Sequence, residues 1–422
     1  MADLQDDPHT SSTAAVGELD RIPPTADPER TEPARPEHVP EAAPPEPPAE
    51  LDGLVFDDLA YGEPEPGAEH EAGAEPEPGA EPEPEPAEPS APEDSLGRAR
   101  ALLVEHPVAD GFNRLAQILG QRQWHDLELG ESTLDTDIPR LRTGGVGAQF
   151  WSLLVPAEYA GDRAISATLE QIDLIKKVVA AYPEGLRLAL TAGDMADARN
   201  CGRIASLLGP VSGHALGDSL GTLRAYHALG VRSLAFAGTR WAGAKGEGLT
   251  PFGHEVVREM NRLGVVIDLT GVPAETVRGV LSVSRAPVLL SHSGARALTD
   301  APANASDEVL HALTPDKGVC MVGFAPEQTV SRVADHLDHV REVAGRECVG
   351  LSGMYGADAA DVPHGDDLRD VSCYPHLIAE LLDRGWDEAD LALLTWGNAA
   401  RVVRDTEFTS RAARRRPAPV VT

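Results

Sequence analysis

The residues best suited to chemistry stand at the ends of short apolar runs. His292 lies between Ser291 and Ser293, directly after the run "APVLL", and His214 follows the run "IASLLG" by a few residues. An imidazole can bind zinc or transfer a proton. A hydrolytic zinc site requires several His, Asp or Glu ligands that converge on one point, and only these two histidines qualify at such run ends. A histidine hydrogen-bonded to its neighbours, or simply buried, is the alternative at each position.

A second group of polar residues at the run ends is suited to anion binding. An arginine carries a fixed positive charge and pairs with carboxylates in a bidentate manner. The predicted anion-binding set is Arg114, His214, Arg240, Ser291, Ser293 and Tyr355. Arg114 has a second option, an ion pair with Asp110 or Asp268. The sequence shows no activated nucleophile of the Ser/His/Asp or Cys/His type beside these residues.

Apolar runs alternate with amphipathic stretches over residues 95–408. The runs include "PVADG", "AQFWSLLVP", "GVVIDLT" and "GVCMVGF", and stretches such as "LEQIDLIKKVVAAYP" lie between them. Continuous apolar strands that alternate with helices form a parallel sheet buried on both faces. The number of units is enough for eight strands, which predicts an α/β fold, a (β/α)8 TIM barrel. The carboxyl ends of its strands carry the catalytic groups of such a barrel, and the residues above stand at those ends.

Most of the negative charge precedes the predicted barrel. Residues 1–90 carry 25 acidic and 3 basic side chains, a net charge of −22 in a chain whose total is −32. Their Pro, Glu and Ala content predicts a disordered acidic tail over residues 1–94, because such a segment buries too little apolar surface to fold. The island "LDGLVFDDLAYG", residues 51–62, is a candidate docking motif for a protein partner or a chance apolar patch in a linker. Residues 409–422 predict a basic flexible tail.

Composition excludes several classes of partner. The acidic balance lacks the basic face that nucleic-acid binding requires. No apolar run approaches the length of a membrane span, and the first twenty residues lack the apolar core of a signal peptide. Four widely spaced cysteines without a CxxC pair predict a cytoplasmic protein. The excess of arginine over lysine is typical of a GC-rich bacterial genome.

Long stretches of the sequence share their order and spacing with one known family. They include "ARALLVEHPVADGFN", "DIPRLRTGGVGAQFWSLLVP", "GLTPFGHEVVREMNRLGVVIDLTGV" and "SRAPVLLSHSGARAL". These stretches resemble the membrane (renal) dipeptidase family, and the resemblance covers nearly all of residues 99–405. It implies a barrel of the metal-dependent hydrolase type, two zinc ions and cleavage of dipeptides.

The same resemblance places the family's five zinc ligands on this sequence. The His and the second Asp of the family's Asp-Gly-His-Asn-Asp motif fall on Phe112 and Arg114. The bridging Glu falls on Val211, and the His of Asp-Leu-Ser-His falls on Gly271. Only the His of Ser-His-Ser is present, as His292. Phenylalanine has no lone pair and arginine stays protonated, so zinc is predicted to be absent and no other cofactor is indicated.

Loss of the ligands within an undisturbed frame predicts a pseudoenzyme. We expect a partner or regulator, present as a homodimer or as a heterodimer with a dipeptidase-like paralogue, because the family's barrels typically pair. Two alternatives remain open. One is an active metallodipeptidase whose ligands lie elsewhere in the sequence, and the other is a metal-free enzyme with altered chemistry.

Overall fold

The computed structural model describes residues 94–121, 126–130, 133–243, 247–325, 328–357 and 366–414. The predicted acidic tail and its island at residues 51–62 therefore lie outside the described residues. The exception is Asp94, whose carboxylate accepts a hydrogen bond from the Leu96 N–H and caps the first helix. Within the described part of the chain, no helix has the length and apolar character needed to cross a bilayer.

Nine parallel strands are described, and eight of them close into a barrel. They run in the order β2-β1-β9-β8-β7-β6-β5-β4, and the pairing of β2 with β4 closes the ring. The strands are β1 (Val108–Asn113), β2 (Val146–Leu153), β3 (Leu186–Leu188), β4 (Ile204–Val211), β5 (Ser233–Ala235), β6 (Val266–Asp268), β7 (Val288–Ser293), β8 (Gly318–Gly323) and β9 (Val349–Ser352). This arrangement confirms the predicted (β/α)8 TIM barrel.

Helices surround the barrel because their apolar faces pack on the strands. They are α1 (Ser95–Glu105), α2 (Leu115–Gln121), α3 (Ile138–Thr143), α4 (Asp162–Ala181), α5 (Ala192–Asn200), α6 (Leu220–Ala228), α7 (Pro251–Leu263), α8 (Ala274–Val283), α9 (Asp307–Ala312), α10 (Val330–Ala344), α11 (Tyr374–Asp383), α12 (Glu388–Ala392) and α13 (Asn398–Arg414). Helix α7 shows how the sequence sets their limits. The Thr250 hydroxyl accepts from the Gly253 N–H at its start, and Gly264, at φ +86°, ends it.

The structure has one strand more than the eight that we predict, and the additional strand is β3. Only three residues of the apolar run "LRLALT" are extended, and they pair with the start of β4 alone. Thr191 then caps α5 by accepting from the Asp194 N–H, so the run turns into a helix before it can reach the mouth of the barrel. The run therefore contributes no functional strand end.

Helix α13 packs on the amino-terminal end of the barrel and corrects the predicted boundary of the basic tail. Its Val402 and Val403 pack with apolar residues near the starts of several strands. The helix continues to Arg414, six residues into the segment that we predicted to be flexible from residue 409. Ser410 is buried and its hydroxyl donates to the Arg262 carbonyl at 2.8 Å. Packing on α7 therefore keeps this part of the tail helical.

One buried carboxylate connects α12 with the end of α10 through hydrogen bonds. Asp390, on α12, is 2% exposed and accepts hydrogen bonds from Arg341 and Arg346. Because both partners are arginines, the buried charge is compensated from two sides. This pair of contacts fixes α12 against the end of α10.

Candidate functional site

The mouth of the barrel, at the carboxyl ends of the strands, is where the family's catalytic groups are expected. Phe112 occupies the end of β1 there, and its side chain is 2% exposed. Its ring lies on the imidazole of His292 from β7, with 4.0 Å between the ring centroids and 31° between the planes. An aromatic ring therefore fills the space beside the residue that the resemblance assigns as a zinc ligand.

His292 is held by a chain of side-chain hydrogen bonds. The Ser291 hydroxyl donates to Asp268 Oδ2 at 2.7 Å and lies 2.8 Å from His292 Nδ1. The Ser291 hydroxyl therefore links the imidazole to the carboxylate. Burial lowers the pKa of His292, the Asp268 charge opposes that shift, and the Arg114 charge adds to it. The ring is therefore neutral at physiological pH.

Asp268 is fully engaged inside the barrel mouth. Its Oδ1 accepts from the Thr270 hydroxyl at 2.7 Å and from the Ser291 N–H at 3.0 Å. The carboxylate thus couples the ends of β6 and β7. Among the described residues, the structure shows no ion pair between Arg114 and Asp268, which was one option from the sequence.

Two other ligand positions offer no donor atom. Val211, at the end of β4, is fully buried in the core and has only carbon in its side chain. Gly271 follows β6 with φ +71°, a conformation that an L residue adopts only with strain. A Cβ at this position would lie 3.7 Å from the Pro302 carbonyl, so space is available and the backbone is the obstacle. The backbone at Gly271 is thus unsuited to a histidine.

Arg114 brings a positive charge to the mouth. The residue is exposed, and its N–H donates to the Tyr355 carbonyl at 2.7 Å. Burial raises the pKa of the Asp135 carboxyl, and the Arg114 charge acts against that effect. Asp110, the other predicted partner of Arg114, instead accepts from the backbone of Phe112 and Gly353.

The predicted anion-binding set does not converge as a whole. Arg240 is exposed and forms an ion pair with Asp218 at 2.8 Å. The Ser293 hydroxyl donates to the Ala303 carbonyl at 2.8 Å. His214 is partly buried, and its Nε2 has no hydrogen-bond partner among the described residues. Of the six predicted residues, the structure brings Ser291 and Arg114 to the surroundings of His292.

Tyr355 is placed differently from the prediction, behind the barrel wall. Tyr355 is fully buried, and Met354 directly before it has φ +58°. Its ring packs 5.9 Å from Phe324 and 6.4 Å from Tyr374, and its hydroxyl donates to the Leu368 carbonyl at 2.9 Å. Tyr355 is therefore a core residue, and its buried hydroxyl is not available to a ligand in the mouth.

Sequence reasoning missed one buried carboxylate beside the mouth, Asp135. Asp135 is fully buried and accepts from the N–H groups of Gly356 and Ala357 at 2.7 and 3.1 Å. Burial raises its pKa to about 7, and burial raises the pKa of Asp110 to about 6. Asp135 lies in the irregular stretch "STLDTD", where neither periodicity nor a strand end marks it.

The residues present do not fit a zinc centre. Phe112, Val211 and Gly271 have no side-chain donor, and Arg114 is a cation. Over the residues that the structure describes, no group of three or more His, Cys, Asp or Glu side chains is arranged to hold a metal ion. A single imidazole remains, which is one ligand where a catalytic zinc ion takes at least three from the protein.

The fold defines a (β/α)8 barrel, and the mouth holds His292 beside a buried phenyl ring. A family model described as membrane dipeptidase (peptidase family M19) matches residues 96–417. The chain is 41% identical to mouse Dipeptidase 3 over 334 residues, which are 74% of this chain and 66% of that protein. It is 41% identical to human Dipeptidase 3 over 338 residues, 74% of this chain and 68% of that protein. The chain belongs to the membrane dipeptidase family.

Solved structures share this fold. A structure titled dipeptidase AC is 25% identical, with a TM-score of 0.64, and the match covers 71% of this chain and 98% of that one. A metallo peptidase from Rhodobacter sphaeroides, liganded with a phosphinate mimic of the dipeptide L-Ala-D-Ala, has the same TM-score at 24% identity over 71% of this chain and 99% of that one. The chain spans about two thirds of the length of its curated relatives. Those relatives are mammalian, so they give no support to the bacterial origin suggested by composition.

Proposed function

We propose that this chain is a non-catalytic member of the membrane dipeptidase family that acts as a partner or regulator of another protein. The observation that carries the proposal is the contact of Phe112 with His292. A buried phenyl ring lies 4.0 Å from the only retained ligand, at a position where the family resemblance implies a second imidazole. The proposed loss of zinc is therefore built into the packing of the mouth.

Electrostatics at the mouth also oppose a metal ion. Arg114 stays protonated at every accessible pH. At a separation of about 5 Å and an effective dielectric constant of about 20, a dication and a guanidinium repel each other by several kcal/mol. His292 alone offers too little binding energy to overcome that repulsion.

The hydrogen-bond chain at His292 also argues against a metal-free hydrolase. In a nucleophilic serine site the serine hydroxyl donates to the imidazole, which in turn donates to the carboxylate. Here the order differs, because the Ser291 hydroxyl lies between the two groups, donating to Asp268 Oδ2 and standing 2.8 Å from His292 Nδ1. Ser291 is also buried, at 1% exposure. The arrangement orients His292 without activating a nucleophile.

The intact frame supports a role that uses the surface of the barrel. Asp268 keeps its bonds to β7, and Asp110 and Asp135 keep theirs to the backbone after β9. A barrel that preserves this polar framework without its metal ligands suits a structural partner. We therefore propose a homodimer, or a heterodimer with a dipeptidase-like paralogue.

The deciding experiment measures metal and activity on one sample. The full chain is purified without chelator, supplied with zinc, desalted and analysed for zinc by elemental analysis, and the same sample is assayed for hydrolysis of several dipeptides. We expect no stoichiometric zinc and no turnover. His292→Ala is the matched control, because zinc that is retained equally by both proteins is bound elsewhere.

Two zinc ions per chain with dipeptide turnover, both lost in His292→Ala, would overturn the proposal. Turnover without zinc that disappears in His292→Ala would favour the metal-free enzyme instead. The partner role has its own measurement, sedimentation velocity of the full chain over a wide concentration range. A dimer is expected, and a monomer at every concentration would exclude the homodimer.

A further inference from the structure

A basic cavity lies at the amino-terminal end of the barrel, opposite the mouth. Its volume is about 360 Å³, and residues of α1, α3 and α5 and the starts of β2 and β4 line it. Four arginines contribute to the lining: Arg100, Arg142, Arg199 and Arg203. No acidic residue is among its lining residues. In a chain of net charge −32, this is a local excess of positive charge.

The spacing of α1 places charged and apolar groups on one side of the cavity. Arg100, Leu103 and Val104 stand at positions i, i+3 and i+4, which share a helix face. Val104 is 81% exposed, an unusual state for a large apolar side chain next to arginines. Pro107 and Pro375 extend the apolar lining. The cavity therefore combines an apolar surface with guanidinium groups around it.

The arginines of the cavity are only partly compensated. Arg203 forms an ion pair with Glu184 at 3.6 Å. Arg142 donates to the Glu184 carbonyl at 3.0 Å, and Arg199 donates to the Glu105 carbonyl, so these two are positioned by backbone groups without a carboxylate. Arg100 has no ion pair with any residue that the structure describes. A ligand with negative charge would meet several unneutralised guanidiniums.

We propose that this cavity docks a carboxylate-rich peptide segment of a partner protein, with an apolar side chain of that segment against Val104 and Leu103. Arginine and carboxylate pair through two parallel hydrogen bonds, which favours carboxylates as the charged groups. A free inorganic anion has no apolar group that could contact the apolar lining. Nucleic acid requires a broad basic surface, and the strongly acidic chain repels a long phosphate backbone.

Fluorescence anisotropy of the full chain tests the proposal with defined peptides. The probes are fluorescein-labelled octaglutamate, octaglutamine and a glutamate octamer with one central leucine. We expect octaglutamate to bind and octaglutamine not to bind, with weaker binding at higher salt. The leucine-containing peptide should bind more tightly than octaglutamate, and Val104→Asn should remove that advantage.

Charge reversal at Arg100 provides the specific variant. Arg100→Glu should weaken octaglutamate binding about tenfold, since it removes one attraction and adds one repulsion. Arg98→Glu is the matched control on the same helix, because Arg98 lies outside the cavity and pairs with the exposed Glu388. Equal affinity in the two variants would overturn the proposal. Displacement of octaglutamate by millimolar inorganic phosphate would also overturn it, in favour of a small-anion site. Neither result depends on the state of the barrel mouth.

Discussion

Replacing Asp135 by asparagine should remove a pH-dependent term from the stability of the barrel. Burial raises the pKa of Asp135 from its ordinary value of 3.8 to about 7, while the N–H groups of Gly356 and Ala357 act in the opposite direction. The unfolded chain releases this proton near pH 4. Between those two pH values the folded state binds a proton that the unfolded state has lost. Asparagine has nearly the same size and an acceptor oxygen, and it does not ionise.

The sign follows from the raised pKa. Proton binding favours the folded state, so the contribution of Asp135 is most favourable below pH 4 and is lost as the pH rises to about 7. A shift of about three pKa units corresponds to about 4 kcal/mol. The free energy of unfolding of the wild type minus that of Asp135→Asn should therefore fall by up to about 4 kcal/mol from pH 4 to pH 7 and stay constant above that.

Urea denaturation followed by circular dichroism at half-unit steps from pH 4 to pH 8 measures this difference. Asp110, whose pKa burial raises to about 6, contributes with the same sign in both proteins and cancels. Asp197→Asn, a change at an exposed aspartate of α5, is the control and should leave the pH dependence unchanged. A difference that is flat over the whole range, or that increases with pH, would refute the reasoning.

Three further predictions concern the mouth and the outer helices. Phe112→Ala should lower the free energy of unfolding by about 3–5 kcal/mol, because a buried ring in contact with His292 is lost, and urea denaturation measures it. Arg114→Ala should raise the pKa of Asp135 further, since a favourable charge is removed. The loss of unfolding free energy with rising pH should then extend to a higher pH. An unchanged pH range would show that the guanidinium does not act on that carboxyl. Asp390→Ala should cost about 2–3 kcal/mol, because two arginines lose a buried charged acceptor, and a change below about 0.5 kcal/mol in thermal denaturation would contradict that account.

The barrel could be predicted because its signals are local and repeated. Apolar runs, amphipathic helices and helix-ending glycines recur along the chain, and each marks its own element. The exceptions arose from turns that the sequence does not mark strongly. Thr191 caps α5 and shortens the run that begins at Leu186, and Tyr355 is buried in the core after Met354, whose φ is +58°.

The sequence predicted which residues lie at the candidate site better than it predicted the contacts between them. The family resemblance placed Phe112 and His292, and the structure shows that their rings are in contact at a tilted angle. The chain from Asp268 through Ser291 depends on the register of β6 against β7, which pairs Asp268 with Leu289 and is not encoded in either strand alone. Asp135 reaches the mouth from an irregular segment, so only the folded chain reveals it.

The left-handed backbone at Gly271 means that metal ligands could be introduced at these positions only together. A histidine placed there alone would be strained, a glutamate at Val211 alone would bury an uncompensated charge, and a histidine at Phe112 alone would lose a packed ring. Each single substitution is therefore expected to lower the free energy of unfolding, and a metal ion that would compensate binds only when most of the ligands are present together. A protein engineer who wished to rebuild the centre would have to change the β6 loop and the side chains in one step.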